Sequence, residues 1–478
     1  MSTRKYCKRS RSSRASTCVP AKAPFPTNGE LLRRAILWAF GKDIFARLPR
    51  HGNTSWEFTH LVSLVILWVW SDQAKLTAAF VEARGLSRAL FGQIALHSYQ
   101  GMMEALVNHS GRIFPILWEH LQHLMEQVAP AHWRVGKWLP LACDGSRFST
   151  PRTLENERAF GLKNFGQGRM TKSRQKWKNK KRRSKPLQAA TKPQIWLTLI
   201  LHMGLKMPWC WKSGAASDSE RAHLGALLET QKFPKNTLFC ADAGFTGYEL
   251  WNLILQKGHQ FLIRVGSNVH LLSKLSTCRT KNGLVYLWPK VVASRKQPPL
   301  VLRLIKLESA EGTMFLITSV LNERELSNSM AEKLYRLRWG IELQFRSVKQ
   351  TFGCRKLRSR TPGNALVELE WALAGLWLIQ LLAVKEQIIM EGTPQRSSVA
   401  LALHAVRTTM RAWSERASRE QTLAHQLRNA VQDNYERHSS KCARYSPNYK
   451  DKPTRSGPKI RLASETQKHA YKRLLYTT

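Results

Sequence analysis

Acidic residues are scarce in this sequence: 32 Asp and Glu stand against 76 Lys and Arg in 478 residues, a formal net charge of +44. Such an excess destabilises a compact chain by self-repulsion unless a polyanion neutralises it. Nucleic acid meets that need, because phosphate contacts release counterions and supply affinity. An anionic membrane surface is the competitor, and the spread of charge along the whole chain speaks against it. The eight cysteines (Cys7, Cys18, Cys143, Cys210, Cys240, Cys278, Cys354 and Cys442) include no Cys-x-x-Cys pair. That argues against a zinc site and a secreted disulfide framework, and reduced thiols in a cytoplasmic protein are the expectation. Long uninterrupted apolar runs are scarce as well. Those from Leu61 to Trp70 and from Ala372 to Val384 are too short to span a bilayer comfortably, and both read as buried helices. The basic, Ser/Arg-rich N-terminus has no apolar signal core, and no solenoid-type repeat is present.

What is present divides the chain into stretches of different texture. Residues 1–28 read as a disordered basic arm. Helical spacing of Trp and Leu dominates 29–135. The character changes at WLPLAC (138–143), a short apolar run that reads as a buried strand ending at Asp144-Gly145. Strands are expected at Ile195 to His202, Trp209 to Lys212, Thr237 to Ala241 and Gln260 to Val265. Ser217 and Glu220 read as the capping box of a helix reaching about Thr230. Residues 267–325 alternate short β-like runs with polar turns, as a β-rich insertion would. Residues 354–434 read as helical, and 435–478 as a basic tail without periodicity. Strand, strand, strand, helix, strand, helix, strand, helix predicts an α/β layer with a mixed sheet.

The stretch YRLRWGIELQFRSVK (335–349) carries the most chemistry. On a uniform helix, Arg338, Glu342 and Lys349 fall at about −60°, −20° and −40° from Tyr335, so all four share one narrow arc. Leu334, Leu337, Ile341, Phe345, Val348 and Phe352 form an apolar stripe beside them. Ser329 and Glu332 read as the helix's capping box, and Gly353 as its stop. Taken alone, the pattern leaves an ordinary solvated face equally open. Asp144 and Asp242 add weight, since each follows a buried strand. Convergent carboxylates suit hard divalent ions, which activate an oxygen nucleophile and stabilise charge in phosphodiester chemistry.

LACDGSRFSTPR, LFCADAGF and Tyr335-x2-Arg338-x3-Glu342-x6-Lys349 together resemble the bacterial insertion-sequence DDE transposases with the Tyr-Arg-Glu-Lys signature, the family numbered four. The resemblance covers roughly residues 138–353. It implies a ribonuclease-H-like mixed sheet in a catalytic domain at 136–353, with the β-rich insertion at about 267–325 and helical regions on either side. It implies that Asp144, Asp242 and Glu342 hold Mg²⁺, with Mn²⁺ able to substitute, and that Tyr335, Arg338 and Lys349 grip DNA phosphates. Metal-dependent cleavage and strand transfer at the ends of an insertion sequence would follow. So would binding of those ends by the helical 29–135 region, work on double-stranded DNA as a homodimer, and a nucleoid-associated location without membrane contact. A catalytically silent DNA-binding derivative and a ribonuclease-H-like nuclease without strand transfer remain open.

Several residues have competing readings. Trp288 could stack on a flipped base or fill a core. Glu368 and Glu370 read as a solvated or interdomain face, and His202 and His223 as structural. The segment from Lys163 to Lys185 holds eleven Lys or Arg and no acid. Its expected role is a DNA-contacting loop that contributes affinity.

Overall fold

The computed structural model describes residues 25–477 apart from 42–43, 51, 53, 93–95, 162–191, 277–282, 310–311, 390–395 and 433–455. The arm up to residue 24 and the Lys163–Lys185 segment therefore lie outside the described residues.

Four helices precede the sheet: α1 (Asn28–Phe40), α2 (Phe58–Trp70), α3 (Leu76–Phe91) and α4 (Tyr99–Val128). The first is opened by a full capping box, with the Thr27 side chain on Glu30 N–H and the Glu30 carboxylate on Thr27 N–H. The second is apolar nearly all round, and it is buried accordingly.

The central elements follow in the order β1 (Leu139–Ser149), α5 (Leu154–Phe160), β2 (Gln194–His202), β3 (Met207–Ala215), α6 (Glu220–Thr230), β4 (Thr237–Ala241), α7 (Tyr248–Gln256) and β5 (Gln260–Val265). Strands β1, β2 and β3 form an antiparallel meander, while β4 pairs parallel to β1 and β5 parallel to β4. The lateral order β3-β2-β1-β4-β5 is the ribonuclease-H-like arrangement. Every residue of β4 is buried, as expected for a parallel strand covered on both faces. The sheet differs from expectation in one respect that matters below. Strand β1 does not stop at Asp144 but runs six residues past Cys143, because β2 continues to pair with it as far as Ser149.

The β-rich stretch extends this same sheet. It comprises β6 (His270–Ser273), β7 (Leu284–Leu287), the short α8 (Lys290–Ser294), β8 (Leu300–Ser309) and β9 (Gly312–Thr318). Strand β9 pairs antiparallel with β5, and β8, β7 and β6 follow outward. Trp288 lies in the core here: its indole N–H donates to the Gln297 carbonyl at 3.0 Å, and it meets Tyr471 edge-on. The base-stacking reading is not supported.

Two helices with a break between them come next, α9 (Asn328–Leu337) and α10 (Gly340–Arg346), then α11 (Pro362–Ile388), α12 (Val399–Arg411) and α13 (Leu423–Arg428). The described part of the expected basic tail, residues 456–477, carries two elements. Lys459–Leu462 forms β10, parallel to β6 at the rim of the sheet, and Glu465–Thr477 forms α14. Tyr471 and Leu474 of α14 pack on the core, an apolar pair that the surrounding Lys and Arg disguise in the sequence.

Helix α11 joins the helical regions to the sheet, touching α2, α4 and β3. It is the one described helix long and apolar enough to cross a membrane, yet 94% of its apolar window is buried inside the protein. It meets α2 at Gly375, whose carbonyl accepts the Trp70 indole N–H at 3.1 Å. A Cβ at Gly375 would sit 2.7 Å from Val69 Cγ2. Gly375→Leu is therefore expected to destabilise the protein by about 1–3 kcal/mol through overpacking. A thermal melt equal to wild type would show that the two helices can separate without cost.

Candidate active site

Parallel pairing of β1 with β4 ends at Cys143 beside Ala241. The next residue on each chain is an aspartate, so Asp144 and Asp242 stand side by side at the point where one strand continues and the other turns away. Each acid is steadied by a backbone donor close by: Gly145 N–H to Asp144 Oδ1 at 2.8 Å, and Gly244 N–H to Asp242 Oδ1 at 2.7 Å.

The third acid arrives on a helix that is not uniform. Ser327, rather than Ser329, caps α9, and Glu332 pairs with Arg336 instead of closing a box. The helix breaks at Arg338-Trp339. There, Arg338, Trp339, Ile341 and Glu342 each donate to the carbonyl three residues earlier, a tightened turn. A wider π turn follows over Ser347–Thr351, and Gly353 ends it with a φ of 72°. A single angular step per residue therefore misplaces these side chains in detail, although it groups them correctly.

Arg338 sits between the acids, 9% exposed, with one nitrogen 3.5 Å from Asp144 Oδ2 and another 3.3 Å from Glu342 Oε1. Its guanidinium also lies 5.5 Å from the centre of the Tyr335 ring. Lys349 Nζ donates to Ser146 Oγ of β1 at 2.7 Å. Tyr335 is 7% exposed, and among the described residues its hydroxyl has no well-aligned hydrogen-bond partner. The structure thus gathers Asp144, Asp242, Glu342, Arg338 and Tyr335 at one place, with Lys349 reaching the neighbouring turn of β1. Trp339, at the break itself, is 56% exposed.

One further acid near this group, Glu220, reads from the sequence as part of a helix cap. The expected capping box at Ser217 is not formed: Ser219 caps α6, and the Asp218 carboxylate accepts from Ala215 N–H and faces His223. Glu220 is free of capping and turns toward Asp144 and Asp242. The signal available in the sequence was the pair of glycines that follow those aspartates.

Electrostatics reflect the crowding. Burial pushes the Asp144 carboxyl up to about 6, helped by Asp242 and Glu342 and opposed by the Gly145 N–H and Arg338. Burial likewise pushes Glu220 up to about 7, with Asp144 and Asp242 adding to the effect and Arg147 opposing it. Burial alone would lower the pKa of Arg338, but Tyr335 and the three acids together raise it above the usual arginine value. Burial lowers Lys349 and raises Tyr335.

An all-oxygen donor set of crowded carboxylates suits a hard divalent cation. The Tyr335 hydroxyl, whose proton has no acceptor among the described residues, fits an additional polar occupant. Among the described residues no group of three such side chains is drawn together closely enough to hold a metal ion, and Arg338 stands between Asp144 and Glu342. The rival residues are structural. His202 bonds the Trp133 carbonyl and Leu205 N–H, and His223 bonds Thr198. Contrary to expectation, Glu368 is buried, where it accepts the backbone N–H groups of Arg358 and Ser359. Cys143, Cys210, Cys240 and Cys354 are free thiols.

Fold and site together describe a ribonuclease-H-like domain with an acid cluster at the end of its central strands. The family model of the transposase DDE domain matches residues 140–378, and the chain belongs to that family. Transposase InsG for insertion sequence element IS4 of Escherichia coli (strain K12) is 26% identical over 238 residues, 48% of this chain and 48% of that protein. The chain thus spans about half the length of this curated relative. The cryo-EM structure of the piggyBac transposase synaptic complex with hairpin DNA is 12% identical, with a TM-score of 0.39 over 86% of this chain and 88% of that one. A likeness at that level supports no argument.

Proposed function

We propose that this protein is a DNA transposase that cleaves the ends of an insertion sequence and joins them to a target. The observation that carries the reading is the juxtaposition of Asp144 with Asp242, tied through Arg338 to Glu342, in a chain of net charge +44. Asp144, Asp242 and Glu342 would hold divalent ions, Mg²⁺ with Mn²⁺ able to replace it. Bound there, such ions supply activation of the attacking oxygen and stabilisation of charge on the leaving one.

The chain's own groups complete the arrangement. Arg338 holds Asp144 and Glu342 in register, and its guanidinium fork matches a phosphate. Lys349 and the Tyr335 hydroxyl lie within the same group of elements and would fix backbone phosphates. The double-stranded DNA would be bound at its ends by the 29–135 region, with added affinity from the basic segments, in a homodimer that works on paired ends close to the nucleoid.

The test uses purified protein, DNA carrying the repeats that flank its coding region, and Mg²⁺ or EDTA. Nicking and joining that need the metal are expected. Nicking without joining would point to a nuclease, and tight binding without nicking to a silent DNA-binding protein.

A further inference from the structure

Glu220 has no part in the reading above, and its surroundings give it one. It is the first residue of α6, where an acid ordinarily complements the helix dipole from solvent. Here the side chain turns inward. A Cβ on Gly145 would lie 2.6 Å from Glu220 Cγ and 2.7 Å from Oε1, and a Cβ on Gly244 would lie 3.1 Å from Oε2. The carboxylate occupies space left open where the first residue after Asp144 and the second after Asp242 carry no side chain. Neither glycine has a positive φ, so backbone conformation does not call for glycine at either position, and what each provides is room. Among the described residues, Glu220 forms no hydrogen bond or ion pair. Arg147 attracts it without pairing, being stacked 4.7 Å from the centre of the Trp196 ring.

Tyr335 adds an independent observation. Its hydroxyl is buried within reach of Arg338, which can only donate to it, so the phenol's own proton has no acceptor among the described residues. A buried donor left in that state calls for an acceptor from outside the chain. A carboxylate turned inward toward two others, with a cation at the edge and a phenol proton without an acceptor, makes sense around an additional positive centre with its own polar shell.

We propose that Glu220 is a fourth carboxylate of the metal site, sharing with Asp144 and Asp242 the divalent ion assigned to them above; the inference rests on that assignment. A divalent ion turns the mutual repulsion of the acids into shared attraction, which gives the inward turn of Glu220 a physical reason.

The test uses the full chain without DNA, Mn²⁺ alone as the probe, and three proteins: wild type, Glu220→Gln and Glu342→Gln. Calorimetric titration is expected to show Mn²⁺ binding weakened about tenfold or more in Glu220→Gln. The same variant should melt above wild type when metal-free, because one charge of the crowd is gone. A purely structural role would lower the melting point and leave Mn²⁺ affinity alone. Affinity unchanged in Glu220→Gln but weakened in Glu342→Gln overturns this inference by itself. A wild type that binds no Mn²⁺ overturns the underlying metal assignment along with it. Should Glu220→Gln not fold, Glu220→Asp keeps the charge and shortens the reach; weaker binding supports the inference and unchanged binding overturns it.

Discussion

Glu342→Gln is expected to lower DNA cleavage and strand transfer by about two to three orders of magnitude while leaving DNA binding intact. The size follows from removing one fixed charge at the centre where charge develops in the reaction. Glutamine keeps the shape and can still meet Arg338, whose nitrogen lies 3.3 Å from Glu342 Oε1. The side chain is 37% exposed, so the fold does not depend on it. Removing an anion from a surface that must meet phosphates should, if anything, tighten DNA binding. Measured turnover of pre-cut and intact ends, beside a filter-binding or mobility-shift isotherm, separates the two effects. Wild-type cleavage by the variant would remove Glu342 from the chemistry and with it most of the case for this site.

Arg338→Gln should have the largest effect on stability, and a pH-dependent one. Removing the cation leaves Asp144 facing Asp242, Glu220 and Glu342 with little to offset the repulsion. Breaking a buried pair in this way costs about 3–5 kcal/mol when the remaining charge stays ionised. The acids have an escape, since they can take up protons. Asp144 is already pushed from 3.8 up to about 6 and Glu220 from 4.5 up to about 7. A carboxyl whose folded pKa lies above its unfolded value favours the folded state fully below the unfolded value. That contribution is lost as pH rises through the folded value. The deficit of Arg338→Gln relative to wild type should therefore be small near pH 5 and complete above pH 7. Melting both proteins at the two pH values tests this, and an equal deficit at each would mean that Arg338 acts through packing alone.

Much of this architecture was legible in the sequence because its strands are short, apolar and buried on both faces. TLFCA and the run before Asp144 could be little else, and their order with the intervening helices gave the mixed sheet. The acids were legible by position. Local pattern failed where long-range packing decides the outcome. Ser217 and Glu220 have the spacing of a capping box, but two glycines far apart in the chain open the slot that draws Glu220 into the site. The break at Arg338-Trp339 escaped because a helical wheel assumes one angle per residue, whereas a tight turn followed by a wide one restores the overall direction. Strand β10 escaped because four residues flanked by basic ones carry no periodic signal of their own. Glu368 looked solvated because its partners are backbone groups of the loop before it.

The pairing of β10 with β6 also sets a timetable. His270 and Lys459 are neighbours across the sheet, about 190 residues apart in the chain. At a synthesis rate of about 5–20 residues per second, β6 waits roughly 10–40 s after leaving the ribosome before its outer partner exists. During that interval the rim of the sheet is an unpaired edge, open to strands of other nascent chains. Production of the folded protein should therefore be sensitive to how slowly, and how densely, its message is being read.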